Sequence, residues 1–120
     1  MPTAAIIGGG PSGLMAAEML LNQGLSVDLY EAKPSVGRKF LMAGKSGLNL
    51  THAESFDDFL KRFEKDQLKL APFIRHFPPA AIRKWVEDLG IETFEGTSQR
   101  IFPKVMKASP LLRNWLRRLE

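Results

Sequence analysis

The apolar positions near the start of the chain run unbroken through Ala4-Ala5-Ile6-Ile7 and stop at Gly8-Gly9-Gly10. A continuous apolar run of that length predicts a parallel strand buried on both faces. Pro11 follows where a helix begins well, because its absent N–H costs nothing in the first turn. Leu, Met and Ala residues then carry a helix predicted to reach Gln23, with Gly24 ending it. From Leu25 to Tyr30 the period changes, Val27 and Leu29 alternating with Ser26 and Asp28, which predicts a second strand. Strand, glycine turn, helix, strand is the order of a βαβ unit.

Pro34 and Gly37 break the regular pattern, and the stretch from Phe40 to Leu50, punctuated by Gly44 and Gly47, is expected to be irregular. Thr51-His52-Ala53-Glu54 has the spacing of a capping box. Behind it Phe56, Phe59, Leu60 and Phe63 recur at helical spacing, a stripe read as core. Leu68 to Phe77 predicts another helix, stopped by Pro78-Pro79, and Ile82, Trp85, Val86 and Leu89 a further one, stopped by Gly90. Ile91 to Phe94 and Arg100 to Phe102 are expected to pair as a hairpin across Gly96-Thr97-Ser98.

Ser109-Pro110 opens a last helix with Leu111, Leu112, Trp115, Leu116 and Leu119 on one side. It carries no stop signal before Glu120, so the expectation is a chain that ends inside an element, as a truncated product would. The predicted fold class is α/β: the N-terminal βαβ of a Rossmann-like domain and its following loop over residues 1–51, then a helix-rich segment with a short hairpin over residues 52–120. Two parallel strands rarely stand alone, which suggests an incomplete domain whose open sheet edge would suit a partner chain.

Composition narrows the chemistry. The 120 residues include no cysteine, which excludes disulfides and thiolate nucleophiles. His52 and His76 are the only histidines and lack HExxH spacing, so no metal site is expected. Met1 to Leu21 has no basic leader and contains Glu18, which fits neither a signal peptide nor a membrane span, and the cytoplasm is the expected compartment. The net charge is +4, with Arg100, Lys104, Lys107, Arg113, Arg117 and Arg118 carrying much of the excess. Such a cluster could meet nucleic-acid phosphates, but positive charge alone names no partner and a solvated face accounts for it.

Gly44-Lys45-Ser46 resembles the end of a P-loop, which needs a glycine where Lys39 stands. His76, among Phe73, Ile74 and Phe77, reads as packing.

The strongest chemical signal is Gly8-x-Gly10-x-x-Gly13, set between a strand and a helix. Gly8 permits the tight turn, Gly10 lets backbone approach a pyrophosphate, and Gly13 lets the helix pack on the strand. The first helical N–H groups face the phosphates, and the Ser12 hydroxyl could add a donor. Glu31 lies 18 residues beyond Gly13, where a carboxylate accepts hydrogen bonds from ribose hydroxyls. These features leave FAD and NAD both open.

From Ile6 onward the chain resembles the extended signature of glutathione-reductase-type flavoproteins: Gly8, Gly10 and Gly13, then Ala17, Leu20, Gly24, Val27, Glu31 and Gly37, with Arg38 where the family usually has another glycine. The continuation from Gly37 to Thr51, with Gln99-Arg100-Ile101-Phe102-Pro103 and the helix from Ala108 to Leu119, resembles the BaiN-like family of NAD(P)/FAD-dependent oxidoreductases. Many members have Gly-Arg-Cys-Asn where this chain has Ser46-Gly47-Leu48-Asn49, so no cysteine role carries over. Members are several times longer, so the resemblance covers an N-terminal portion.

The resemblance implies FAD as cofactor. Gly8, Gly9, Gly10, Pro11, Ser12 and Gly13 would lie at the pyrophosphate, Glu31 and Ala32 at the adenosine ribose. Arg38 and Lys39 would run along the cofactor, and Asn49, Leu50 and Thr51 would approach its flavin end. His52 could donate a proton there, although a place at a helix N-terminus explains it as well. No catalytic residue is assigned. The expected function is the FAD-binding part of a flavin-dependent oxidoreductase taking hydride from NAD(P)H or acting on a small-molecule substrate. The alternatives are a catalytically inert, truncated cofactor-binding piece and a basic nucleic-acid-binding module.

Overall fold

The computed structural model describes residues 2–45 and 47–120; Ser46, part of the P-loop-like triplet, lies outside the described residues. The chain forms two compact units, residues 1–46 with Ala108–Glu120, and Gly47–Lys107.

In the first unit β1 (Thr3–Ile7) and β2 (Ser26–Tyr30) pair in parallel, Thr3 opposite Ser26 and Ile7 opposite Tyr30. The crossover is α1 (Pro11–Asn22), which buries Leu14 and Ala17. Pro11 sits in its first turn, and Gly24, at φ +85°, ends it as expected. Burial on both faces does not hold for β1. Ala4 and Ile6 are half-buried, whereas Ala5 is exposed and Ile7 is 83% exposed, because α1 covers one face only.

Two further helices complete this unit. The stretch expected to be irregular contains α2 (Arg38–Ala43), opened by Gly37 in the left-handed region and closed by Gly44. The glycines that argued for irregularity are caps, and the Phe-Leu-Met-Ala run between them is helix-forming. The helix α6 (Ser109–Leu119) buries Leu111, Leu112 and Trp115, with Phe40 edge-on to the indole at 6.3 Å. Glu18, buried on α1, is paired with Arg118 of α6 at 3.6 Å.

The second unit is built on an antiparallel sheet ordered β3-β5-β4. Its strands are β3 (Thr51–His52), β4 (Thr93–Glu95) and β5 (Arg100–Pro103). The expected hairpin is present as β4 and β5, with Phe94 opposite Phe102. The capping box is not. Thr51 pairs with Ile101 and His52 with Arg100, and a paired strand has no helix to cap.

Helix α3 (Phe56–Lys61) starts later, with the Ser55 hydroxyl accepting the Asp58 N–H at 3.2 Å. A 3-10 turn (Glu64–Asp66), α4 (Gln67–His76) and α5 (Pro79–Asp88) follow. The core gathers Val86, Leu89, Ile91, Ile101 and Pro103. Buried Thr93 is held by Arg83 Nε at 2.9 Å and donates to Glu87 at 2.8 Å. His76 and Phe73 are exposed rather than packed, since α4 turns them to solvent. Among the described residues no helix is long and apolar enough to cross a membrane.

Candidate functional site

The turn between β1 and α1 is fixed by backbone. Gly8 has φ +103°, a conformation that L side chains rarely adopt, and its N–H donates to the Tyr30 carbonyl at 2.8 Å. A Cβ on Gly13 would lie closer than 3.0 Å to the Gly8 carbonyl oxygen, so only glycine lets the helix approach the strand. A Cβ on Gly10 would meet nothing within 4 Å. That glycine borders open space in front of the helix.

No side chain caps α1, and its first internal bond runs from the Leu14 N–H to the Gly10 carbonyl at 2.9 Å. The N–H groups of Ser12 and Gly13 therefore have no acceptor within the helix, and with the helix dipole they favour negative charge in front of them. The Gly37 N–H donates to the Gly9 carbonyl at 2.7 Å, tying the start of α2 to the turn. Sequence reasoning did not anticipate that bond.

Glu31 follows β2 immediately. One of its carboxylate oxygens accepts the Gly9 N–H at 2.8 Å and the other the Lys33 N–H at 2.8 Å. These donors, Lys33 first and Gly9 next, hold its pKa below the ordinary value of 4.5, with a smaller pull from the Arg38 charge. Each oxygen keeps a lone pair for another donor. The first unit thus brings together Gly8 to Gly13, Glu31 and Arg38. Ala32 and Lys39 are exposed at the same connections, Ala32 after β2 and Lys39 in the first turn of α2.

Asn49, Leu50 and Thr51 belong to the second unit, where they line a cavity of about 640 Å³. Leu50 and Thr51 are held by β5, the Leu50 N–H donating to the Ile101 carbonyl at 2.9 Å. Ser98, Gln99 and Arg100 line it from the neighbouring strand β5 and the turn before it, and Phe59 and Ile82 add apolar surface. His52 also lines it, its Nδ1 accepting the Glu54 N–H at 3.4 Å. Arg62, on the same cavity, forms a two-pronged ion pair with Glu54, which lowers the carboxyl pKa and raises that of the guanidinium.

Ser98 and Gln99 sit at φ +60° and +62°, unusual for residues with side chains and costing on the order of 1–3 kcal/mol each. Ser98→Gly is expected to stabilise the protein by about 0.5–1 kcal/mol, read from a urea melt. An unchanged midpoint would mean that the turn holds no strain at that residue. The sequence hid this pair, since neither residue type announces a left-handed backbone.

A parallel βαβ with a glycine-lined helix N-terminus and a carboxylate after its second strand defines a Rossmann-type nucleotide-binding protein. The HI0933-like protein Rossmann domain matches residues 2–120, and the chain belongs to that family. Comparison with curated proteins finds no match.

Proposed function

We propose that the first unit holds the ADP half of FAD and that the protein works as the cofactor-binding part of a cytoplasmic, BaiN-like flavin-dependent oxidoreductase. The observation that carries this reading is the uncapped start of α1 facing open space at Gly10, with Glu31 anchored beside it through Gly9. The residues fit the group: N–H donors and a helix dipole suit a diphosphate, and an ionised carboxylate with free lone pairs suits a vicinal diol.

In this reading Gly10, Ser12 and Gly13 bind the diphosphate through backbone N–H groups. Glu31 accepts from the ribose hydroxyls and repels any phosphate placed there. Arg38 and Lys39 balance anionic charge along the cofactor, and the family resemblance adds Asn49, Leu50 and Thr51 to the cofactor-binding set. Bound flavin supplies hydride-accepting chemistry, which no side chain can provide, and NAD(P)H is the proposed donor. The first test is direct: purified protein titrated with FAD binds saturably, with stoichiometric flavin released on denaturation. Protein that stays folded and ignores FAD overturns the reading.

Glu31 also carries a pH signature. Its carboxyl is more acidic in the folded protein than in the unfolded chain, so it binds protons less readily when folded. Its contribution is therefore fully present above 4.5 and is lost as pH falls through the lower folded value. The difference in melting temperature between wild type and Glu31→Gln is expected to hold steady from pH 8 to about 5 and then shrink. A gap that stays constant into strong acid would show that the charge is not what matters.

A further inference from the structure

The proposed cofactor contacts account for Asn49, Leu50 and Thr51 but not for the rest of the second unit's cavity. Leu50, Phe59 and Ile82 give it an apolar wall, while Asn49, Ser98 and Gln99 add groups able to donate hydrogen bonds. His52 adds an imidazole to the lining, its Nδ1 lying 3.4 Å from the Glu54 N–H and 3.7 Å from a Glu54 carboxylate oxygen. Its volume of about 640 Å³ lies in the range that encloses small molecules.

The charges sharpen the class. Two guanidinium residues line the cavity, and they are not equivalent. Arg62 is neutralised by its two-pronged pair with Glu54. Arg100, by contrast, has no carboxylate partner among the described residues. One uncompensated positive charge beside an apolar wall matches a ligand with one negative charge and an apolar body. The strained pair Ser98–Gln99 lies directly before Arg100 on the same wall, and strain of that kind concentrates at ligand-binding turns.

We infer that this cavity binds a small organic acid, an apolar body bearing a single carboxylate, with Arg100 as its counter-charge. Its role as substrate of a flavin reaction rests on the preceding proposal, but its binding does not and is measured without FAD.

The probes are benzoate and hexanoate, with benzamide and hexanamide as neutral matches, titrated into the flavin-free chain by calorimetry and ligand-observed NMR. At least one acid is expected to bind saturably, and about tenfold more tightly than its amide. Arg100→Gln, at an exposed position, abolishes that preference, and Asn49→Trp, which crowds the cavity from an exposed lining position, weakens binding of acid and amide alike. Lys107→Gln, outside the cavity, changes neither.

The inference fails if neither acid binds up to about 10 mM, a level that would detect even a weak site. It fails equally if acid and amide bind alike, or if Arg100→Gln or Asn49→Trp binds the acid as wild type does. Gly10→Val, folded and outside the cavity, is expected to lose FAD and keep the acid. If wild type ignores FAD yet binds the acid, only the cofactor reading fails; if wild type binds FAD and neither acid, only this inference fails.

Discussion

Gly13→Ala is expected to cost the protein at least about 4 kcal/mol, enough to leave the first unit largely unfolded. The added methyl would fall closer than 3.0 Å to the Gly8 carbonyl oxygen, a backbone atom that no side-chain rotation can move. Gly8 cannot yield easily, because its N–H is bonded to Tyr30 and its left-handed backbone belongs to the turn. Either α1 lifts off the strands and uncovers Leu14 and Ala17, or the turn breaks. A urea melt followed by circular dichroism reads the loss. A midpoint close to wild type would mean that the helix can slide away at little cost, and close packing would then not explain the third glycine.

Gly10→Val is expected to do the opposite. Gly10 has φ −82° and ψ −174°, extended backbone that valine adopts readily, and its Cβ would meet no protein atom within 4 Å. Stability should therefore stay within about 0.5 kcal/mol of wild type. FAD affinity, measured by fluorescence titration, should fall by roughly a hundredfold or more, because the branched side chain stands where the N–H groups of Ser12 and Gly13 must reach a diphosphate. Undiminished FAD binding in a folded Gly10→Val protein would remove the basis of the proposed function. Two glycines three residues apart thus separate packing from open space: at Gly13 the methyl meets protein, at Gly10 it meets no protein atom within 4 Å, where the proposed diphosphate lies.

The first unit was legible in the sequence to the extent that its contacts are local. The glycine spacing, Pro11, the alternation through Val27 and Leu29, and the position of Glu31 all lie within a single crossover, where chain distance and spatial distance agree. What the reading missed depends on partners far along the chain. Thr51 and Glu54 have capping-box spacing, yet Thr51 is a strand residue because Ile101, fifty positions away, offers it a ladder. Local spacing cannot report such a partner. The burial of β1 failed for a related reason, since an apolar run shows what a strand tolerates and not which elements cover it. For α2 the difference is one of role: the spacing of Gly37 and Gly44 predicts breaks in regular structure, and the two glycines serve as caps. Arg100 lies within a stretch of family resemblance, but its lack of a carboxylate partner among the described residues is a property of space alone.

The central strand β5 ties the cavity to the interior. Ile101 and Pro103 point into the core, and Arg100 between the strained turn and Ile101 borders the cavity. Odd and even positions on a strand are locked to opposite sides, so a shift of one residue would exchange isoleucine for a guanidinium in oil-like surroundings. Errors of that kind exclude themselves from the folded population. Any molecule that reaches the native state therefore carries its cation on the correct side without a separate device to aim it.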